Sequence, residues 1–301
     1  MNIKIWMAIG ITVLLWSSAF VGIRASLEDY SPQHLALIRF SIASIIFIVI
    51  SFFKKISIPE KKDMFRIFLS GFIGIAMYNF ALNYGEQRIE AGVASFLVNT
   101  VPLFSALFSM YFLREKFSFY QWIGFMISFC GVLFIVIRPE TNFSIGFSIF
   151  VLLFAAMTQA IMFTIQKPLT KRYSPFECTA YAIWSGTFVM VWFGAGLVNE
   201  IQEASMFNTL IIVYLGVFPA AIAYFLWAYV LSKLSVSIAT TFLYLVPVGA
   251  TLIAWSWLNE LPTRLSIVGC LLVIAGVIIV NQKKFRERNR NVVLHDEKQC
   301  T

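Results

Sequence analysis

Residues 91–116 read AGVASFLVNTVPLFSALFSMYFLREK, and residues 236–261 read VSIATTFLYLVPVGATLIAWSWLNEL. Aligned without a gap, Pro102 meets Pro247, Glu115 meets Glu260 and Ala94 meets Ala239, about 145 residues apart. Forward from there, Gly124 and Gly131 recur as Gly269 and Gly276. Backward, Tyr84 meets Tyr229, Phe80 meets Phe225 and Gly71 meets Gly216. Near the start the offset shortens: Ser31-Pro32 matches Ser174-Pro175, Arg24 matches Lys167, and Trp16 falls opposite Gln159. The second half of the chain repeats the first.

The repeated material is apolar. Of 301 residues, 59% are hydrophobic and 13% charged, more apolar surface than a soluble fold of this size can cover. Apolar runs of about 18–22 residues recur, each able to cross a hydrocarbon core of about 30 Å as a helix. Strand-like alternation is absent, so the expectation is an all-α membrane protein rather than a barrel. Ten spans are expected, at roughly 5–23, 34–53, 67–85, 92–113, 120–137, 146–166, 177–197, 208–230, 236–258 and 265–282. The first follows a basic start without a convincing cleavage site and reads as an uncleaved span.

Orientation follows from Lys and Arg in the short loops. With a cytoplasmic N-terminus, 18 basic residues fall inside and four outside (Arg24, Arg88, Arg138, Arg264), Arg39 lying within a span. Both termini are then cytoplasmic. Five spans per half is an odd number, so the halves must be inverted, as Arg88 outside and its mate Lys233 inside require. Residues 1–139 form the first repeat, 140–284 the second, and 285–301 a basic cytoplasmic tail expected to be disordered. The net charge of +8 resides in loops and tail, where it suits anionic lipid rather than nucleic acid. Four cysteines without a Cys-x-x-Cys pair suggest neither metal nor disulfides, and no cofactor is expected.

The chain resembles the EamA family of the drug/metabolite transporter superfamily. The residues that carry the resemblance are LLWSSAFVGIR (14–24), Arg39 after Ser31-Pro32, Pro102 with FLREK (112–116), Gly124 and Gly131, Pro247 with WLNEL (257–261), and Gly269 and Gly276. It covers roughly 5–282. It implies two five-helix repeats, alternating access, and movement of small metabolites, amino acids among them, across a bacterial inner membrane.

Inverted repeats place a binding site near the bilayer midplane, and polar side chains there are costly unless they face protein or water. Asn79 and Asn83 share one helix face, as do Ser95 and Asn99. The mates of Asn79, Ser95 and Asn99 are Tyr224, Thr240 and Tyr244; Trp227 lies one turn from Tyr224. Trp16, Asn79, Asn99, Gln159, Tyr224 and Tyr244 are expected to line one cavity, and Asn83, Ser95 and Trp227 to bind the substrate with them. The competing reading makes them interhelical hydrogen bonds. Tyr181 and Trp184 are weaker candidates.

Arg39 either draws an anion inward, snorkels outward, or pairs with Glu28 or Asp29. Glu115 and Glu260 are expected to cap helix N-termini, with gating as the other reading. Pro102, Pro247 and Pro219 interrupt helices and are candidate hinges or static kinks. His34 reads as interfacial, and Glu86 and Glu90 as solvated. With no mid-membrane carboxylate, facilitated movement is favoured over strict proton antiport. The resulting expectation is an exporter of amino acids or their derivatives. A nucleotide-linked cargo, uptake, and a non-transporting membrane protein are the alternatives. An intramembrane enzyme lacks its nucleophile or metal cluster. Two fused repeats already complete one site, which leaves monomer and dimer both open.

Overall fold

The computed structural model describes residues 2–115, 118–136 and 143–258, with shorter stretches between 264 and 279. All regular structure among the described residues is helical. The helices are α1 (Ile3–Ser26), α2 (Pro32–Phe53), α3 (Lys61–Glu86) and α4 (Ala91–Leu113), then α5 (Phe119–Val136) and α6 (Phe143–Leu169). They continue as α7 (Pro175–Phe193), α8 (Leu197–Glu203), α9 (Met206–Lys233) and α10 (Val236–Trp257). Among the described residues, seven stretches, within α1–α4, α6, α9 and α10, are long and apolar enough to cross a membrane. The α7–α8 pair meets the same length and hydropathy test only when taken together, across a bend of 87°. The expected tenth span is described only in part, as a shorter apolar helix at Ile267–Gly276, while Glu260 and the 285–301 tail lie outside the described residues.

Local sequence explains the helix starts. Ser31 and Ser174 precede prolines, whose missing N–H costs nothing in the first turn. Ser174 and Glu177 form a reciprocal capping box. α3 starts earlier than its apolar run, because Lys61, Lys62 and Asp63 form a polar first turn. α7 ends at Phe193, short of the expected boundary, and the chain turns through Gly196 at φ 85°.

The helices depart from regularity at repeat mates. α3 contains a π-helical stretch at Phe72–Met77, and α9 one at Gly216–Ala223 around Pro219. α4 breaks at Asn99–Thr100, and α10 tightens into a 3₁₀ turn at Phe242–Tyr244. Pro102 therefore does not kink a continuous helix: it occupies the first turn of Val101–Leu113, just after the break. Pro247 follows the 3₁₀ turn in the same way.

Packing follows the mates as well. α1 packs on α10 and α9, while α6 packs on α4 and α3. α2 meets the π stretch of α9, and α7 meets the first half and the π stretch of α3. Two glycines allow these approaches. A Cβ on Gly216 would lie 2.8 Å from Ile42 Cβ and 2.9 Å from the Arg39 carbonyl. A Cβ on Gly71 would lie 2.6 Å from Ser185 Cβ and collide with the Ala182 carbonyl. Ser185 and Ala182 are the mates of Ile42 and Arg39. Gly276 likewise sits against Gly124 and Ser128 of α5, so one of the paired glycines does serve close helix packing.

Candidate functional site

α1, α2, α3, α4, α6, α9 and α10 converge on a cavity of about 40 Å³. Its polar lining is Trp16, Arg39, Tyr78, Asn79, Asn99, Gln159 and Tyr224; Phe20, Phe163, Leu243 and Val246 are among its apolar walls. Each polar group has a traceable position. Asn79 follows the π stretch of α3, and its Nδ2 donates to the Ile75 carbonyl at 2.8 Å. Asn99 sits at the α4 break, its Nδ2 donating to the Ser95 carbonyl at 2.5 Å. Trp16 donates its indole N–H to the Pro219 carbonyl at 3.3 Å, inside the second π stretch. It also packs edge-on against Tyr224, with ring centroids 5.4 Å apart. The Tyr224 phenol interacts with the amides of Asn79 and Gln159.

The lining is not saturated. Asn79 Oδ1, Gln159 Oε1, and Nε and Nη1 of Arg39 are buried with no hydrogen-bond partner. Buried polar groups are normally paired, so each of these carries unspent hydrogen-bonding capacity.

Five of the six expected liners, and five of the nine expected substrate-binding residues, thus meet in one place. Tyr244 does not. It is 1% exposed, its hydroxyl lacks a partner, and Leu243 and Val246 occupy the wall instead. The cause is the 3₁₀ turn at Phe242–Tyr244, which advances side chains about 120° per residue and shifts the face. Trp227 stands behind the cavity, its ring 5.4 Å from Trp16 and 5.2 Å from Phe163. Asn83 is one turn beyond the cavity, where its Nδ2 donates to the Pro32 carbonyl at 2.9 Å. Ser95 is spent on the Gly92 carbonyl at 2.6 Å. Tyr181 and Trp184 donate to backbone carbonyls of Ser57 and Ser44, away from the cavity. Tyr78 and Phe163 were not anticipated. Phe163 was within reach, four residues from Gln159, and walking down α1 from Trp16 in steps of three and four gives Ala19, Phe20 and Ile23, all lining residues.

The ionisable residues are placed as follows against the readings offered for them. Arg39 is 3% exposed and does not snorkel. Asp29, an expected partner, instead accepts from Ser205 N, Ser205 Oγ and Asn208 Nδ2 at the start of α9, and Glu28 is exposed. Glu86 is fully buried at the end of α3, not solvated, and acts electrostatically on Arg39. His34 is also buried, with Nδ1 2.8 Å from Glu200 Oε2 and Nε2 3.0 Å from the Ala195 carbonyl. Glu115 caps a helix as expected: it accepts from the amides of Val236 and Ser237 and from Ser237 Oγ.

The family model for the EamA-like transporter family matches residues 3–137 and again 146–282. The chain belongs to the EamA family. A Bacillus subtilis (strain 168) protein named "Uncharacterized transporter YdfC" is 41% identical over 98% of this chain and 96% of its own length. A Streptantibioticus cattleyicolor protein named "Probable terminal-alkyne amino-acid exporter" is 34% identical over 94% of this chain and 95% of its own. A solved crystal structure at 16% identity shares the fold, with a TM-score of 0.74 over 95% of this chain and 99% of that one. The protein is a multi-pass membrane transporter of the drug/metabolite superfamily, not an enzyme.

In this EamA transporter the two ends of the bundle are tied by contacts that are repeat mates of one another. At the end where α1 finishes, Arg24 Nη1 donates to the carbonyls of Glu86 (3.2 Å) and Gln87 (2.7 Å), the last of α3. At the end where α6 finishes, Lys167 Nζ donates to the carbonyls of Leu231 (2.6 Å) and Leu234 (2.7 Å), the last of α9. Glu200 accepts from Ser31 and meets His34; at the mate positions Glu177 accepts from Ser57 and Ser174. Asp29 with Asn208 is matched by Arg172 with Asp63, 2.9 Å apart. The hydrogen bonds around Asp29 hold its carboxyl below the ordinary range, Ser205 Oγ first, then the Ser205 amide and Asn208, against some desolvation.

Proposed function

We propose that this chain is a ten-span transporter of two inverted five-helix repeats in a bacterial inner membrane. In this reading it exports small polar metabolites, amino acids or their derivatives. The carrying observation is the cavity: a cluster of Asn, Gln, Tyr, Trp and Arg side chains in the interior of an apolar bundle, with open donors and acceptors. A bundle held together only by polar contacts would have satisfied them.

The repeat reading is supported by the mated π stretches and by end contacts that map onto each other when the halves are exchanged. With the first half's ties at one end and their mates at the other, each end can open while its counterpart stays closed. That is the requirement of alternating access. In the present conformation about 40 Å³ holds only a few waters, at the ~10–15 Å³ that each needs. Cargo therefore enters in another conformation of the cycle. Trp16, Asn79, Asn99, Gln159, Tyr78 and Tyr224 are its binding residues in this proposal. The export direction and cargo class draw support from the relative named as an amino-acid exporter.

The test is growth of bacteria producing this chain under inhibitory loads of each amino acid and common analogues, with mass spectrometry of the medium. An Asn79→Ala/Gln159→Ala double variant at equal membrane level is the control. Resistance and a raised external metabolite in the wild type alone supports both export and the cavity. Resistance in both refutes the cavity assignment. No change for any amino acid or analogue refutes the cargo class.

A further inference from the structure

The unpaired groups among the cavity-lining residues are sorted by chemistry. Its donors are Nε and Nη1 of Arg39 on α2. Its open acceptors are Asn79 Oδ1 on α3 and Gln159 Oε1 on α6. The Asn79 assignment is fixed by its neighbour, since the Ile75 carbonyl accepts only from the amide nitrogen.

The fold does not need a cation at Arg39. Its repeat mate is Ala182, and the two backbones make the same close approach, Arg39 against Gly216 and Ala182 against Gly71. One of these equivalent positions packs with a methyl group. The guanidinium is thus an addition to one half of a pseudo-symmetric frame, at a position that lines the cavity. The phenols of Tyr224 and Tyr78 and the Glu86 carboxylate act on its charge, yet two of its N–H groups remain open. A buried cation with open donors calls for an anionic acceptor, and a carboxylate is the strongest fit to a guanidinium.

We infer that the cargo is a zwitterion bound in one orientation. Its carboxylate lies on Arg39, its ammonium is held between Asn79 Oδ1 and Gln159 Oε1, and its side chain lies against Trp16, Phe20 and Phe163. An ammonium has three donors and no acceptor, so two open carbonyl-type oxygens suit it. The aromatic faces add to its hold. The inference rests on the transport reading above and names the chemical poles that this site selects.

The experiment measures binding by thermal stabilisation of the purified full chain in detergent. The twenty common amino acids are screened first. For the best binder, two derivatives follow: its carboxamide, which lacks the carboxylate, and its desamino acid, which lacks the ammonium. Each derivative is expected to bind the wild type roughly 30-fold or more weakly, the scale of losing one partner of a buried charged pair. In Arg39→Gln the amino acid and its carboxamide should bind alike, while Arg39→Lys keeps part of the preference. In Gln159→Leu the amino acid and its desamino acid should converge, with the carboxylate preference intact. These are changes of selectivity, which a variant that merely loosens the fold does not produce, and the derivative arm on the wild type needs no variant.

A carboxamide that binds the wild type as tightly as the free acid overturns the inference and leaves the transport reading standing. So does an Arg39→Gln variant that keeps the acid preference. If none of the twenty amino acids binds, the amino-acid reading and this inference fall together.

Discussion

Lys167→Met tests the mirrored end contacts most directly. Lys167 Nζ reaches two carbonyls at the C-terminal end of α9, Leu231 at 2.6 Å and Leu234 at 2.7 Å, where helix carbonyls generally lack intrahelical partners. A hydrogen bond to a charged group contributes about 1.5–3 kcal/mol, and a cation at a helix C-terminus about 0.3–1 kcal/mol more. Lys167 is only half-buried, and water can take over part of the carbonyls' demand. The net loss should be about 2–4 kcal/mol. At roughly 2–4 °C per kcal/mol this lowers the melting temperature by about 4–16 °C. The assay is a thermal ramp of detergent-purified protein followed by tryptophan fluorescence, at one scan rate because such unfolding is rarely reversible. Lys167→Arg should retain at least half of the difference, since Arg24 makes the mate contact with a guanidinium. A Lys167→Met protein that melts within about 1 °C of wild type, on the same assay scale, refutes the assignment of this contact as a tie.

Two further predictions concern packing and pH. Gly216→Val should cost about 1–3 kcal/mol or more through overpacking against Ile42 and the Arg39 backbone, seen as a fall in monodisperse yield, whereas Gly10→Ala meets open space and should be neutral; equal yields for both would sink the close-approach argument. Asp29 has a depressed folded pKa, so its contribution is complete well above the ordinary value of about 3.9 and is lost as pH falls through that value towards the folded one. The melting-temperature gap between wild type and Asp29→Asn should therefore be wide at pH 7 and narrow at pH 3; an unchanged gap would contradict the hydrogen-bond account.

Much of the site was legible because the repeat acts as a filter on polar residues. Trp16 with Gln159, and Asn79 with Tyr224, are mates, and all four reach one cavity. The filter failed where the halves differ in backbone. Asn99 and Tyr244 are mates in sequence, but one sits at a helix break and the other in a 3₁₀ turn, and only Asn99 lines the wall. Glu86 was misread because a charged residue at the end of an apolar run looks solvated. Its burial comes from the helices packed around it, which no local pattern reports.

The sequence by itself determined the membrane class, the all-helical architecture and the repetition of one half in the other, because hydrophobic length and periodicity are local properties that a bilayer reads directly. It also determined which residues were too polar to be indifferent to their position. The tertiary structure alone decided which of them face each other. That depended on π stretches and breaks that rotate helix faces, on Gly71 and Gly216 letting backbones touch, and on carbonyls consuming the polar groups of Asn83 and Ser95. It left Arg39, Asn79 and Gln159 with unspent hydrogen-bonding capacity, a property that belongs to an arrangement of helices and to no single one of them.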